Sequence, residues 1–251
     1  MSGNHALAWL RPMPHSAPAT VRLFGMPHAG GAASSFAGWP QLLPSDVEVV
    51  AVQYPGRQDR IREPFIEDMA ELADRLSEAV RPLTDLPMVM FGHSMGSGLA
   101  YEVALRLARR DGFRVDRIFV SARTAPHRID GEHRHGLDDD QLVTAMRRLG
   151  GPDLGVFDFP NLRPLILPPL RADLRLLDRY RPSTLTRLPA PITAFGGDDD
   201  ETCPVEDLHA WVEATSVGLD VEIFPGGHHY LREREQVVVA AVAARLARVS
   251  P

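Results

Sequence analysis

The chain has 251 residues, a formal net charge of −6 and a hydrophobic fraction of 44%, the balance of a soluble globular protein long enough for one α/β domain. The acidic charge argues against a nucleic-acid partner, and no apolar run approaches the ~18 residues of a membrane span. A single cysteine, Cys203, excludes an internal disulfide, and the absence of lysine excludes Schiff-base chemistry. The proline-broken N-terminal arm has no signal-peptide pattern, so a cytoplasmic location is the default expectation.

Short apolar, β-branched runs alternate with helical patterns along the chain. After Ser94, for example, Leu99, Val103 and Leu107 recur at helical spacing. This alternation predicts a mostly parallel sheet with helices on both faces, within a single α/β domain over residues 1–251. The candidate strands are residues 21–25, 47–53, 87–91, 117–121, 192–195 and 219–224.

Residues 123–189 break the alternation, because they contain recurrent prolines and no convincing strand. Two helical patterns lie within this segment. Asp138 or Asp139 is the candidate cap of the first, and Leu170 and Leu174 belong to the apolar face of the second. A connection of this length is typically functional when it is ordered. We expect an inserted helical lid, with a structural layer that has no gating role as the alternative.

A Gly-x-Ser-x-Gly turn at residues 92–96 lies between an apolar strand and an amphipathic helix. A turn this sharp strains the serine backbone, and side chains at positions 92 and 96 would collide with their surroundings. The hydroxyl of Ser94 then stands above the helix N-terminus, whose dipole favours the negative charge that develops during attack. The pattern predicts that Ser94 is a nucleophile.

A serine nucleophile requires a base, and the fold implied by the turn orders its triad as Ser, then Asp or Glu, then His. Two loops after candidate strands offer these residue types, at positions 198–200 and 226–229. Asp200 is favoured as the acid because it lies deepest in a run of three aspartates, the other two being solvated turn residues. His228 is favoured as the base because two preceding glycines let it swing into the site, whereas His229 is expected to open the last helix.

The oxyanion of an acyl-transfer intermediate needs hydrogen-bond donors. We expect one donor to be the backbone N–H of Met95, which follows the nucleophile, and the other to be the N–H of Ala29 in the small-residue loop 26–32. An ordinary glycine turn is the alternative for that loop. His93 is expected to order the turn. The histidines at 132–135 lack a third spaced donor, so we expect no metal and no other cofactor.

Four short motifs are arranged in the order and approximate spacing of a known family. They are Pro-His-Ala-Gly-Gly at 27–31, Tyr-Pro-Gly-Arg at 54–57, Gly-His-Ser-Met-Gly at 92–96 and Pro-Gly-Gly-His at 225–228. Together they resemble the type II thioesterases, free-standing editing enzymes of polyketide and nonribosomal peptide assembly lines. The resemblance implies the α/β-hydrolase fold, a lid that shapes the acyl pocket, and a triad of Ser94, Asp200 and His228.

The resemblance also implies a substrate: an acyl group joined as a thioester to the phosphopantetheine arm of an acyl or peptidyl carrier protein. We expect a monomer that docks the carrier transiently and releases stalled or aberrant groups. Because carriers are acidic, Arg57, Arg60 and Arg62 are candidates for steering the docking, with a solvated surface as the alternative. A carboxylesterase or lipase of the same fold and a catalytically silent binding module are the competing interpretations.

Overall fold

A single sheet organises the computed structural model, which describes residues 8–111, 113–129, 134–150, 152–182 and 185–246. Seven strands form this sheet within the described residues, in the order β1-β3-β2-β4-β5-β6-β7, and all neighbours are parallel except β1 and β3. The strands are β1 (Leu10–Pro12), β2 (Val21–Met26), β3 (Val47–Val52), β4 (Met88–His93), β5 (Val115–Ser121), β6 (Ile192–Gly197) and β7 (Leu219–Phe224). The predicted α/β fold and its six predicted strands are confirmed, with some strand ends moved by one or two residues.

Helices pack on both faces of this sheet. The strands β2, β4 and β6 are buried along their whole length, as expected for parallel strands that are covered on both sides. The helices are α1 (Trp39–Leu42), α2 (Met69–Val80), α3 (Met95–Asp111), α4 (Asp139–Leu149), α5 (Arg163–Arg179), α6 (Val205–Leu208), α7 (Tyr230–Glu233) and α8 (Glu235–Leu246).

Neighbouring residues of β4 show how the two layers form. Met90 packs in one apolar cluster with Leu76 of α2 and Leu99 of α3. Phe91 points to the other face and joins a second cluster with Trp39 and with α8. Side chains alternate across a strand, so the buried strand supplies both cores.

The segment between β5 and β6, called here the helical insertion (residues 123–189), carries α4 and α5. Asp138 caps α4: its side chain accepts a hydrogen bond from the backbone N–H of Gln141, and the glutamine side chain bonds back to the backbone of Asp138. Gly150 ends the helix with a φ of 75°. The insertion has a small apolar core of its own, formed by Leu142, Val143, Phe157, Leu167, Leu170 and Leu174. The two helices expected within this segment are therefore present, and its role as a lid stays a prediction.

Strand β1 was not predicted. Leu10 pairs with Val52 at the edge of the sheet, in residues that the sequence analysis assigned to an irregular arm. That interpretation was wrong for these residues, because a three-residue edge strand ending in Pro12 shows no periodicity of its own. Within the described part of the chain, no helix is long and apolar enough to cross a membrane.

Candidate active site

The tight turn after β4 presents Ser94 at the carboxyl edge of the sheet. Ser94 has a φ of 53°, in the left-handed region that non-glycine residues rarely adopt, and its N–H donates to the Ser121 carbonyl at 2.8 Å. A Cβ atom at Gly92 would lie 2.1 Å from the Gly96 carbonyl oxygen, and one at Gly96 would lie 2.0 Å from that of Met26. The predicted need for glycine at both positions is confirmed.

Buried side chains behind the turn hold it in place. Ser97 Oγ lies 2.8 Å from the Gly92 carbonyl oxygen and accepts a hydrogen bond from the Ser121 N–H at 2.9 Å. His93 Nδ1 lies 2.8 Å from Ser121 Oγ, which also contacts the Tyr230 hydroxyl at 2.6 Å. Burial, together with three neighbouring histidines, holds the pKa of His93 well below its usual value of 6.5. His93 therefore stays neutral and orders the turn, as expected.

The structure brings together the three side chains that the sequence analysis favoured. Nε2 of His228 lies 3.0 Å from Ser94 Oγ, and Nδ1 lies 2.8 Å from Asp200 Oδ2. All three residues are at least 90% buried, with exposed fractions of 7% for Ser94, 5% for Asp200 and 9% for His228. Asp198 and Asp199, the alternatives to Asp200, are exposed. The loops after β6 and β7 thus deliver a carboxylate and an imidazole to the serine.

Thr202 is a site residue that the sequence analysis missed. Its hydroxyl and its backbone N–H both donate to Asp200 Oδ1, at 2.8 and 2.9 Å, and the hydroxyl lies 3.0 Å from His228 Nδ1. Burial alone would raise the pKa of Asp200, but hydrogen bonds from His228 and Thr202 outweigh it and lower the pKa below 3.8. The Asp-x-Thr spacing, typical of an Asx turn, was the available sequence signal.

The second histidine of the pair has a different environment. His229 is the N-cap of the short helix α7. The expectation that it opens the last helix was therefore wrong, because α8 begins after α7. Its ring packs edge-on against His28 at 5.1 Å between centroids. Burial, followed by the neighbouring charges of His28 and His228, lowers the pKa of His229 to about 3. The neutral ring of His229 therefore forms part of the wall of the site.

The two expected oxyanion donors lie at the start of α3 and in the loop after β2. Met95 is the first residue of α3, and the first N–H groups of a helix have no partner inside the helix. Ala29 lines the same cavity as Ser94 and His228. The loop around Ala29 is turned by Gly30, which has a φ of 76°.

A cavity of about 380 Å³ opens at Ser94. Its polar lining includes Arg123, Thr124, Arg128, Glu201 and Asp207. Its apolar lining comes largely from α4 and α5 of the helical insertion, through Met146, Leu149, Leu170, Leu174 and Leu177. The insertion therefore shapes the space next to the nucleophile.

The arginines proposed for carrier docking are mostly inaccessible. Arg57 and Arg60 are each only 6% exposed, so their interpretation as docking residues is wrong. Arg57 pairs with Asp173 of α5, and Arg60 pairs with Glu63. Arg62 is exposed and stays a candidate.

The histidines at 132–135 fall largely outside the described residues. Of this stretch the structure describes the side chain of His135, whose Nδ1 contacts the Asp178 carboxylate. Among the described residues, no group of three or more histidine, cysteine, aspartate or glutamate side chains is arranged to hold a metal ion.

Comparison with known proteins assigns the family. A model of the thioesterase domain matches residues 21–247. The chain is 37% identical over 230 residues to thioesterase PikA5 of Streptomyces venezuelae, covering 90% of this chain and 81% of that protein. It is also 37% identical over 241 residues to a probable cadicidin biosynthesis thioesterase of Streptomyces griseus, covering 96% of this chain and 66% of that protein. The solved type II thioesterase BorB from the borrelidin biosynthetic cluster matches with a TM-score of 0.87 at 35% identity, covering 95% and 97% of the two chains. This chain therefore belongs to the thioesterase family and is an α/β-hydrolase-fold enzyme that acts on thioester bonds.

Proposed function

We propose that the protein is a type II editing thioesterase of polyketide or nonribosomal peptide biosynthesis. It would remove stalled or aberrant acyl groups from the phosphopantetheine arm of carrier proteins. The observation that carries the proposal is the 3.0 Å contact between Ser94 and His228 in a cavity that has polar walls and an apolar wall from the helical insertion. Relatives named for borrelidin and cadicidin biosynthesis support the same class of pathway.

The first half of the proposed reaction forms an acyl-enzyme. His228 Nε2 takes the proton from Ser94 Oγ as the oxygen attacks the thioester carbonyl carbon, and Asp200 holds the imidazole in the required tautomer. The carbonyl electron pair moves onto oxygen, where the N–H groups of Ala29 and Met95 stabilise it. When the carbonyl re-forms, the carbon–sulfur bond breaks and the pantetheine thiol departs with the proton from His228.

The second half releases the acyl group. Water gives a proton to His228 and attacks the acyl-serine carbonyl, and the Ser94 oxygen leaves as it regains that proton. A thiol with a pKa of about 8.5 is a good leaving group, so the acylation step tolerates loose positioning of the acyl chain. This tolerance supports broad substrate acceptance, which suits an editing enzyme.

The structural context of this reaction is part of the proposal. The described residues belong to one α/β domain, and the helical insertion acts as its lid over the cavity. The enzyme works as a monomer, meets its acyl or peptidyl carrier protein transiently, and uses protein groups with no cofactor of its own. A cytoplasmic location stays a prediction from the sequence.

A panel of acyl-carrier thioesters tests the proposal. We expect kcat/KM on short and medium acyl-carrier thioesters to be comparable, and to exceed kcat/KM on p-nitrophenyl esters of the same acyl groups. Much faster hydrolysis of the free esters would instead indicate a small-molecule esterase. A strict preference for one long chain would contradict the editing role, and failure of a fluorophosphonate to label Ser94 would indicate a silent binding module.

A further inference from the structure

Helix α5 places a buried carboxylate against the loop that follows β2. Oδ2 of Asp173 accepts a hydrogen bond from the backbone N–H of Gly30 at 2.7 Å. The two carboxylate oxygens also pair with the two terminal nitrogens of Arg57, at 2.5 and 2.8 Å, and Arg57 donates to the Gly31 carbonyl at 3.1 Å. Asp173 is 3% exposed and Arg57 is 6% exposed. The pair thus joins the helical insertion to the loop in the interior of the protein.

The loop itself is anchored on both sides of Ala29. On one side, the Tyr54 hydroxyl donates to the Pro27 carbonyl at 3.0 Å. On the other side is the bond from Gly30 to Asp173. This bond fixes the orientation of the peptide unit that joins Ala29 to Gly30. The support matters because glycine is conformationally permissive, and Gly30, with its positive φ, would not hold that orientation by itself.

The charge on this pair matters for the reaction. Burial alone would lower the pKa of Arg57, but Asp173 outweighs it and raises the pKa, so the guanidinium stays charged. A lone carboxylate one residue from an oxyanion donor would oppose the negative charge of the intermediate. Because Arg57 neutralises Asp173, the carboxylate can fix the loop without that electrostatic cost.

We infer that Arg57 and Asp173 are positioning residues that align the Ala29 N–H for the oxyanion only when helix α5 is seated on the loop. The inference rests on the proposed function, in which Ala29 is an oxyanion donor. The same helix lines the acyl cavity through Leu170 and Leu174. Helix α5 therefore contributes to the acyl wall and, through Asp173, to the alignment of the oxyanion donor.

The test is a double variant, Arg57→Met with Asp173→Leu, which removes both charges together and leaves neither buried without its partner. We expect a folded protein whose kcat on an acyl-carrier thioester falls about 10- to 100-fold, since the loss of a whole oxyanion donor costs about 10²–10³. KM should change little. The matched control is Glu67→Gln, which removes the carboxylate that pairs with Arg175 and Arg179 of the same helix. Its kcat should equal that of the wild type.

A second measurement separates positioning from a merely structural role. A trifluoromethyl ketone analogue of acyl-pantetheine forms an oxyanion when Ser94 adds to it, whereas the corresponding amide binds without reacting. We expect the double variant to bind the ketone more weakly by the factor lost in kcat/KM, with binding of the amide unchanged.

Equal weakening of both ligands, or wild-type kcat in a folded double variant, would overturn the inference. If the double variant does not fold, Arg57→Lys decides, because it keeps the charge and loses the two-pronged contact. A reduced kcat then supports the inference and an unchanged one overturns it. Failure of the wild type to hydrolyse carrier thioesters would instead count against the proposed function.

Discussion

The side-chain hydroxyl of Thr202 donates to Oδ1 of Asp200, the carboxylate oxygen that does not face His228. Asp200 thus has one oxygen held by its own loop and the other aimed at the imidazole. Such an outer contact fixes the direction of the carboxylate, and through it the orientation of the His228 ring.

Replacing Thr202 with valine tests this support. The variant keeps the shape of the side chain and the backbone N–H bond but loses the hydroxyl donor. Because a hydrogen bond to a charged group contributes about 1.5–3 kcal/mol, we expect kcat to fall about 10-fold or more. Thr202→Ser, which keeps the hydroxyl, is the control and should retain most of the activity. Steady-state hydrolysis of an acyl-carrier thioester measures both, and a valine variant with wild-type kcat would refute the supporting role.

Asp200 should also make the stability of the protein depend on pH in the acid range. Its pKa in the folded protein lies below the ordinary value of 3.8, because its hydrogen bonds outweigh burial. A lowered pKa contributes stability that is complete above the unfolded-state pKa and is lost as pH falls through the folded-state pKa. We expect the difference in free energy of unfolding between wild type and Asp200→Asn to be constant near neutrality and to decrease below about pH 4. Urea denaturation from about pH 7 to about pH 3 measures it, and a difference independent of pH would be the contrary result.

The strained backbone at Ser94 predicts a trade between activity and stability. Both Ser94→Ala and Ser94→Gly remove the nucleophile, so hydrolysis should fall by at least ~10³-fold in each. Only glycine relieves the positive φ of 53°, so the glycine variant should be the more stable of the two, by about 1 kcal/mol. Denaturant unfolding compares them. Equal stabilities would show that the turn stores no strain, and retained turnover in either variant would end the assignment of Ser94 as nucleophile.

Two glycines in α3 should respond in opposite ways to alanine. A methyl group at Gly96 would lie 2.0 Å from the Met26 carbonyl oxygen, which belongs to a buried strand and cannot yield. At Gly98 the nearest atom, Cε1 of Tyr180, lies at 3.5 Å, an ordinary contact. We expect Gly96→Ala to lower the free energy of unfolding by about 4 kcal/mol or more, or to prevent folding. Gly98→Ala should raise the free energy of unfolding by about 0.5–1 kcal/mol, because alanine favours a helix more than glycine does. Expression and denaturant unfolding decide, and similar effects at both sites would contradict the packing.

Local patterns predicted most of the fold and much of the candidate site. Strand β4 and helix α3 carry strong periodicity, and the turn between them has a residue pattern that its geometry requires. Asp200 and His228 lie in loops that each follow a predicted strand, and the carboxyl ends of parallel strands face the same edge of the sheet. These inferences need only near neighbours in the chain or the general topology of parallel sheets.

The errors concern contacts between distant parts of the chain. Arg57 was interpreted as a docking residue because carrier proteins are acidic, but its partner Asp173 is 116 residues away and on another element. Nothing in the local sequence marks that pairing. Strand β1 was missed for the same reason, since its order depends on Val52 and its neighbours in β3.

The buried contact between positions 57 and 173 also restricts how sequences of this family can drift. A substitution at either position alone leaves a buried charge without its partner. The pair can therefore be lost or exchanged only when both residues are substituted together. Among homologues, the two sites should therefore covary: an arginine at one should accompany an acid at the other, and a neutral residue at one should accompany a neutral residue at its counterpart.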